Sequence, residues 1–250
     1  MAVSIKSARE IELMREAGKR LAHVHQELEA MIAPGISTWE IDAKGEKLIR
    51  DCGCIPNFLH YNGYPASICV SVNDEVVHGI PRKDRYLKEG DIVSLDAGLI
   101  YKGYHSDAAR THAVGKVSTE AQKLMDVTKQ SFFEGIKMAK EGQHLHDISR
   151  AIEEYVTPYG YGIVRDLVGH GIGTALHEDP QIPNYAQKRR GVRLQAGMTL
   201  AIEPMINAGR ADVEWLDDDW TVVTEDGSLS AHYENTVLIT DGEPEILTMY

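Results

Sequence analysis

Four carboxylates and one imidazole are notable for the segments they occupy. Asp96 lies in VSLDAGLI and Glu203 in MTLAIEPM, both otherwise apolar and strand-like, and Glu234 lies in the alternating segment LSAHYENTVLI. A buried strand rarely carries a carboxylate unless the group is paired or bound to metal. Neither Glu segment contains Lys or Arg, which weighs against ion pairs as the explanation. Lys102-Gly103 reads as a two-residue hairpin turn between strand-like segments at 91–101 and 103–114. Position 96 then faces 109, and Asp107 becomes the diagonal neighbour of Asp96 on the same face, roughly 7–8 Å away. Two carboxylates that close repel unless a cation lies between them. The alternative, one Asp capping a turn and the other solvated, fits the strand placement less well. His170, in DLVGHGIGTALHEDP, has Gly on both sides, so its imidazole is expected to be accessible to a ligand. A lone His of this kind is more often a satisfied structural residue, but here it joins a set. Four carboxylates carry −4, which two divalent cations neutralise. A mostly oxygen shell with one imidazole suits Mn, Fe, Co or Zn rather than a thiolate-loving site. Two such ions together activate water and polarise a carbonyl, which points to metal-assisted hydrolysis.

The elements that must position these groups follow from local signals. Ser7-x-x-Glu10 is a capping box, followed by an apolar stripe of Met14, Ala17, Leu21, Val24, Leu28 and Met31 that ends at Pro34-Gly35. A second helix is expected from Ser37-x-x-Glu40 to about Cys52. A third should start at the cap Thr119-x-x-Gln122 and run to about Lys140, and a fourth should cover about 145–157. Strands are expected at 66–72, 91–101 and 103–114, and again around 161–169, 198–203, 220–224 and 230–239. An offset of 107 residues relates Gly35 to Gly142, Glu40 to Asp147, Ile41 to Ile148, Glu46 to Glu153, Gly53 to Gly160, Gly90 to Gly197 and Asp96 to Glu203. Two related helix–helix–sheet halves, about 7–116 and 117–250, are therefore expected within one catalytic domain spanning 1–250. The second half is lengthened by an insertion near 209–226.

Composition limits the alternatives. The chain has 250 residues, 43% apolar and 26% charged, which is ordinary for a soluble globular protein. A net charge of −12 is a poor match to nucleic acid or an anionic membrane. Three Cys form neither a CxxC pair nor a disulfide framework. The N-terminal stretch has no apolar core of a signal peptide, and no apolar run reaches membrane-span length. The expectation is a cytoplasmic protein that binds neither nucleic acid nor membrane, with a monomer as the default.

The segments YNGYPASICVSVNDEVVHGIP (61–81), SLDAG (94–98), HSDAART (105–111), GHGIG (170–174), HEDPQIP (177–183), AIEP (201–204) and SLSAHYENT (228–236) closely resemble those of type I methionine aminopeptidases of the short bacterial kind. The resemblance covers essentially the whole chain. It implies the α+β pita-bread fold, with two pseudo-symmetric halves. It also implies removal of the initiator Met from nascent polypeptides with a small second residue, with a transient ribosome contact. By the same resemblance, Asp96 would chelate a first metal, Asp107 and Glu234 would bridge two, and His170 and Glu203 would complete the second. Glu203 would be the general base, His78 would contact the substrate near the scissile bond, and His177 would hydrogen-bond the carbonyl oxygen. The Met pocket would fall on Phe58, Tyr61, Tyr64, Cys69, Leu176 and Trp220. Phe58 and Leu176 depart from the commonest bacterial residues there (Cys and Phe), and Asn62 stands where His is common. An Xaa-Pro peptidase of the same fold shares the five ligands but usually adds an N-terminal domain. A non-catalytic peptide-binding relative would have lost ligands.

Overall fold

The computed structural model describes residues 3–249; Met1, Ala2 and Tyr250 lie outside them, and with them the ends of the expected 1–250 span. Helices α1 (Ala8–Glu29) and α2 (Thr38–Asp51) come first, then strands β1 (Ile55–Pro56), β2 (Ile68–Val72), β3 (Glu75–Val77), β4 (Ile92–Tyr101) and β5 (Tyr104–Ala113). Helices α3 (Thr119–Ile136) and α4 (Leu145–Val156) begin the second half. Strands β6 (Gly162–Ile163), β7 (Gly169–Gly171), β8 (Glu178–Ile182), β9 (Thr199–Ile202), β10 (Met205–Asn207) and β11 (Val213–Trp215) follow, and β12 (Val222–Thr224), β13 (Ser230–His232), β14 (Glu234–Leu238) and β15 (Glu245–Ile246) complete it.

Both capping boxes form. The Ser7 amide donates to Glu10 Oε2 at 2.7 Å, and the Ser37 amide to Glu40 Oε2 at 2.9 Å. These side chains satisfy amides that a helix start otherwise leaves without partners. The apolar stripe from Met14 to Leu28 is buried, whereas Met31 lies past the end of α1. Helix α3 differs from expectation at both ends. Its cap is Ser118, whose Oγ accepts from the Ala121 amide at 3.0 Å, while Gln122 turns outward to Asp126. The helix stops at Ile136 instead of near Lys140, because the chain turns there toward Gly142, which sits at φ +88°.

A nine-stranded sheet runs β1–β4–β5–β14–β9–β7–β8, with β2 on β4 and β15 on β14. Strand alternation divides its residues between two faces. Val93, Leu95, Ala97 and Leu99 of β4 share a core with Ala17, Leu21, Val24 and Leu28 of α1 and with Ile41 and Ile49 of α2. Leu200, Ile202 and Val237 share another with Phe132 of α3 and Ile148 and Ile152 of α4. The helices thus cover one face and leave the other for Asp96 and its neighbours. The 107-residue offset recurs in the backbone. Gly35 donates to the Leu87 carbonyl at 2.7 Å, and Gly142 to the Leu194 carbonyl at 2.9 Å. Bridges Ser37–Tyr86 and His144–Arg193 obey the same offset.

Two expected strands are interrupted. Segment 161–169 supplies only β6 and the first residue of β7, and 230–239 breaks at Tyr233 into β13 and β14. The break moves the chain between sheets: β13 pairs with β10, and β14 with β5 and β9. No helix among the described residues is long and apolar enough to cross a membrane.

Candidate metal centre

The turn at Lys102-Gly103 sets the register. Both residues take positive φ, +50° and +87°, as in the two-residue turns whose twist matches that of the flanking strands. Tyr101 pairs with Tyr104, Asp96 with Ala109 and Gly98 with Asp107, as the spacing predicts. Cys69 of β2 pairs with Asp96, and Glu234 of β14 with Ala109. Cross-strand partners share a face, so Cys69, Asp96, Ala109 and Glu234 form one row across four strands. The next row runs from Asp107 through Thr236 and Ala201 to His170. Thr236 locks this row: its Oγ1 accepts from the Asp107 amide at 3.0 Å and donates to the Asp107 carbonyl at 2.9 Å. Small Ala109 and Ala201 separate the ligand-bearing positions and leave space above the sheet.

Glu203 departs from its expected place inside a strand. It follows the end of β9, one residue past the Ile202–Asn235 pair and so abreast of Glu234. Pro204, with no amide hydrogen, cannot continue the ladder. The Asn184 side-chain amide holds the Glu203 carbonyl at 3.0 Å. The glycines beside His170 also have a packing role. The histidine is buried, at 7% exposure. A Cβ at Gly169 would run into the Ala201 carbonyl, and one at Gly171 into that of Asp179. Glycine here permits close strand approach, and the buried imidazole still lines the cavity.

His170 Nδ1 lies 2.8 Å from the Gly171 carbonyl. A carbonyl only accepts, so Nδ1 carries the proton and Nε2 keeps its lone pair. Nε2 is 3.6 Å from Glu203 Oε1 and 3.9 Å from Asp107 Oδ2. These separations are too long for hydrogen bonds and fit two donors placed about 2.0–2.2 Å from one ion. Asp96 Oδ1, Asp107 Oδ1 and Glu234 Oε1 are buried with no hydrogen-bond partner. Burial pushes Asp96 up to about 7. It also pushes Asp107 and Glu234 well above the usual carboxylate range, reinforced by the neighbouring carboxylates. Glu203 is raised by burial and by Asp96. Donor atoms of Asp107, His170 and Glu234 lie within 4.8 Å of one another, as do those of Glu203, His232 and Glu234. Buried oxygens without partners and mutually repelling carboxylates are the chemistry a divalent cation satisfies.

These shifts give a pH prediction. Carboxyls whose folded pKa exceeds the unfolded value make the metal-free protein lose stability as pH rises from about 4 through about 7. His170, held down to about 4 by burial, stays neutral over most of that range. Metal must displace the carboxyl protons. The gain in Tm on adding Mn²⁺ is therefore expected to grow between about pH 5 and about pH 8. Calorimetry in buffers of different ionisation enthalpy should show proton release, and a gain that is flat with pH would contradict the assignment.

All thirteen expected site residues line one cavity of about 250 Å³. The five expected ligands lie together among them. Phe58, Tyr64, Cys69 and Leu176 are buried apolar wall. Tyr64 donates its hydroxyl to the Gly79 carbonyl at 2.9 Å and packs edge-on against Trp220. Tyr61 Oη lies 2.8 Å from His177 Nδ1, and the His177 ring meets that of His170 at 4.4 Å. His78 takes the left-handed conformation, φ +59°, with its ring edge-on to Trp220. Burial lowers His78 to about 4 and also lowers His177, so both are neutral near pH 7. The sequence reading misses His232, which lies 3.7 Å from Glu203 and 3.9 Å from Glu234. Its spacing of two from Glu234 was the available signal.

Residues 12–241 match metallopeptidase family M24. The chain belongs to this family. M24 membership agrees with the donor set, and the protein is a metal-dependent peptidase. It is 54% identical to a methionine aminopeptidase of Clostridium acetobutylicum over 99% of both chains. Its fold is that of the Thermotoga maritima methionine aminopeptidase, with a TM-score of 0.97, 46% identity and complete coverage of both chains. The M24 fold extends to an Xaa-Pro dipeptidase of Bacillus anthracis, with a TM-score of 0.80 and 25% identity, covering 98% of this chain and 62% of that one.

Proposed function

We propose that this M24 member is a methionine aminopeptidase. It removes the N-terminal, initiator Met from nascent polypeptides whose second residue is small. The observation that carries the reading is a carboxylate–imidazole floor at the base of one small apolar cavity. Full-length similarity to methionine aminopeptidases supports it. Residues 1–250 act as a single catalytic domain, a cytoplasmic monomer that meets its substrates through a transient ribosome contact. Asp96, Asp107, His170, Glu203 and Glu234 hold two divalent ions drawn from Co, Mn, Fe or Zn.

Such ions, when bound, acidify water and polarise the scissile carbonyl. The chain's own residues do the rest. Phe58, Tyr64, Cys69, Leu176 and Trp220 enclose the flexible, polarizable thioether side chain. The Cys69 thiol, pushed up by burial and by Asp96, stays neutral and suits an apolar wall. Tyr61 donates its hydroxyl to His177 Nδ1, which leaves the imidazole proton on Nε2. From there it donates a hydrogen bond to the carbonyl oxygen as charge develops. His78 contacts the peptide beside the scissile bond. Glu203 takes a proton from the attacking water onto its carboxylate and passes it to the leaving amine.

The test compares release of Met from Met-Ala-Ser with cleavage of Ala-Pro-Ser, using metal-free protein and added Mn²⁺ or Co²⁺. Metal-dependent release of Met alone is expected. Cleavage before Pro alone would move the substrate assignment to the Xaa-Pro class, and metal binding with neither cleavage would leave a peptide-binding role.

A further inference from the structure

The two donor groups share Glu234 but have separate imidazoles: Asp107, His170 and Glu234 in one, and Glu203, His232 and Glu234 in the other. His232 ends β13, just before the chain crosses to β14, and is 1% exposed. Neither of its ring nitrogens has a hydrogen-bond partner. A buried imidazole without partners is costly unless another group takes up its lone pair. His232 Nε2 lies 3.7 Å from Glu203 Oε2 and 3.9 Å from Glu234 Oε2. His170 Nε2 keeps nearly the same spacings, 3.6 Å and 3.9 Å, from its own two carboxylates. Glu203 thus turns one oxygen to each ring, and neither spacing is a hydrogen bond.

We infer that His232 is a sixth protein ligand, bringing its Nε2 to the dinuclear site beside Glu203 and Glu234. Four carboxylates and two neutral imidazoles balance two divalent charges. That shell suits Mn, Fe, Co or Zn. The inference rests on the metal-centre reading above and adds one ligand to it.

Crystals of the full chain soaked in Mn²⁺ or Zn²⁺ should show an anomalous peak about 2.0–2.3 Å from His232 Nε2 and a second near His170. Peaks confined to Asp96, Asp107 and His170 would overturn the inference and leave the metal centre standing. No peak at any of these residues would remove the metal-centre reading itself. In solution, calorimetric titration with Mn²⁺ should find one binding step weakened in His232→Gln. Loss of even an outer-shell partner costs about 10–100-fold in metal affinity, and loss of a ligand should cost at least that. Thermal unfolding of the metal-free variant checks that it folds. Unchanged affinity in both steps of a folded His232→Gln would also overturn the inference, and the wild-type crystals decide the matter if the variant does not fold.

Discussion

Asp107→Ala is expected to abolish turnover and to strip the protein of metal. Asp107 lies in the row that crosses the seam between the halves, hydrogen-bonded through its backbone to Thr236. Its carboxylate lies 3.9 Å from His170 Nε2 and is repelled by that of Asp96. Like Glu234, it is proposed to bridge both ions, so its loss should unmake both sites together. Removing a group that only supports a ligand costs about 10–100-fold in metal affinity or activity. A shared ligand should cost more, about 10³-fold or greater in kcat/KM for Met-Ala-Ser. Metal content by mass spectrometry should fall towards none. Full activity with full metal content would refute the assignment. The metal-free variant offers a second check with the opposite sign. Asp96 and Glu203 both repel Asp107 in its buried site, so metal-free Asp107→Asn should melt above the metal-free wild type at about pH 8. An unfolded variant would mimic loss of function, and this measurement separates the two.

His177→Ala should leave metal content unchanged and lower kcat by about 10²–10³-fold, the usual cost of one donor to a developing oxyanion. His177 stands at the cavity wall with its ring 4.4 Å from that of His170, yet belongs to neither metal-binding group. Burial lowers its pKa, so near pH 7 it is a neutral ring with a single proton to place. Tyr61 determines where. In the proposed mechanism its hydroxyl, 2.8 Å from Nδ1, donates to that nitrogen and leaves Nε2 as donor. Tyr61→Phe should therefore cost less, about 3–10-fold in kcat, the worth of one hydrogen bond of about 0.5–1.5 kcal/mol. A loss in KM alone for His177→Ala, with kcat intact, would make it a binding residue instead.

The parts of this protein legible in its sequence are those set by neighbours a few residues apart. Ser7 with Glu10 and Ser37 with Glu40 start α1 and α2 where expected, because a cap is satisfied within one turn. Lys102-Gly103 fixes the β4–β5 register, because two consecutive positive-φ residues leave the strands one way to pair. That register alone puts Asp96 and Asp107 on one face. Where local signals compete, the reading slips by a residue, as when Ser118 rather than Thr119 caps α3.

Other features depend on segments far apart in the chain. Glu203 reads as a strand residue but sits at a break, and Tyr233 divides what reads as one strand. Both breaks occur where the chain must leave the large sheet for β10 and β13. Gly169 and Gly171 read as ligand access for His170, and their close approach to the backbone of Ala201 and Asp179 shows only in the fold. His232 could not be distinguished from an ordinary core histidine until β13 and β9 brought it beside Glu203 and Glu234. Caps, turns and alternation act over short spans, so the starts of α1 and α2, the hairpin, the 107-residue repeat and five candidate ligands are legible in the residues alone. Only the tertiary structure decided that β5, β14, β9 and β7 lie side by side. That order follows from burying the apolar faces of four helices against one sheet, a global requirement that no local segment encodes.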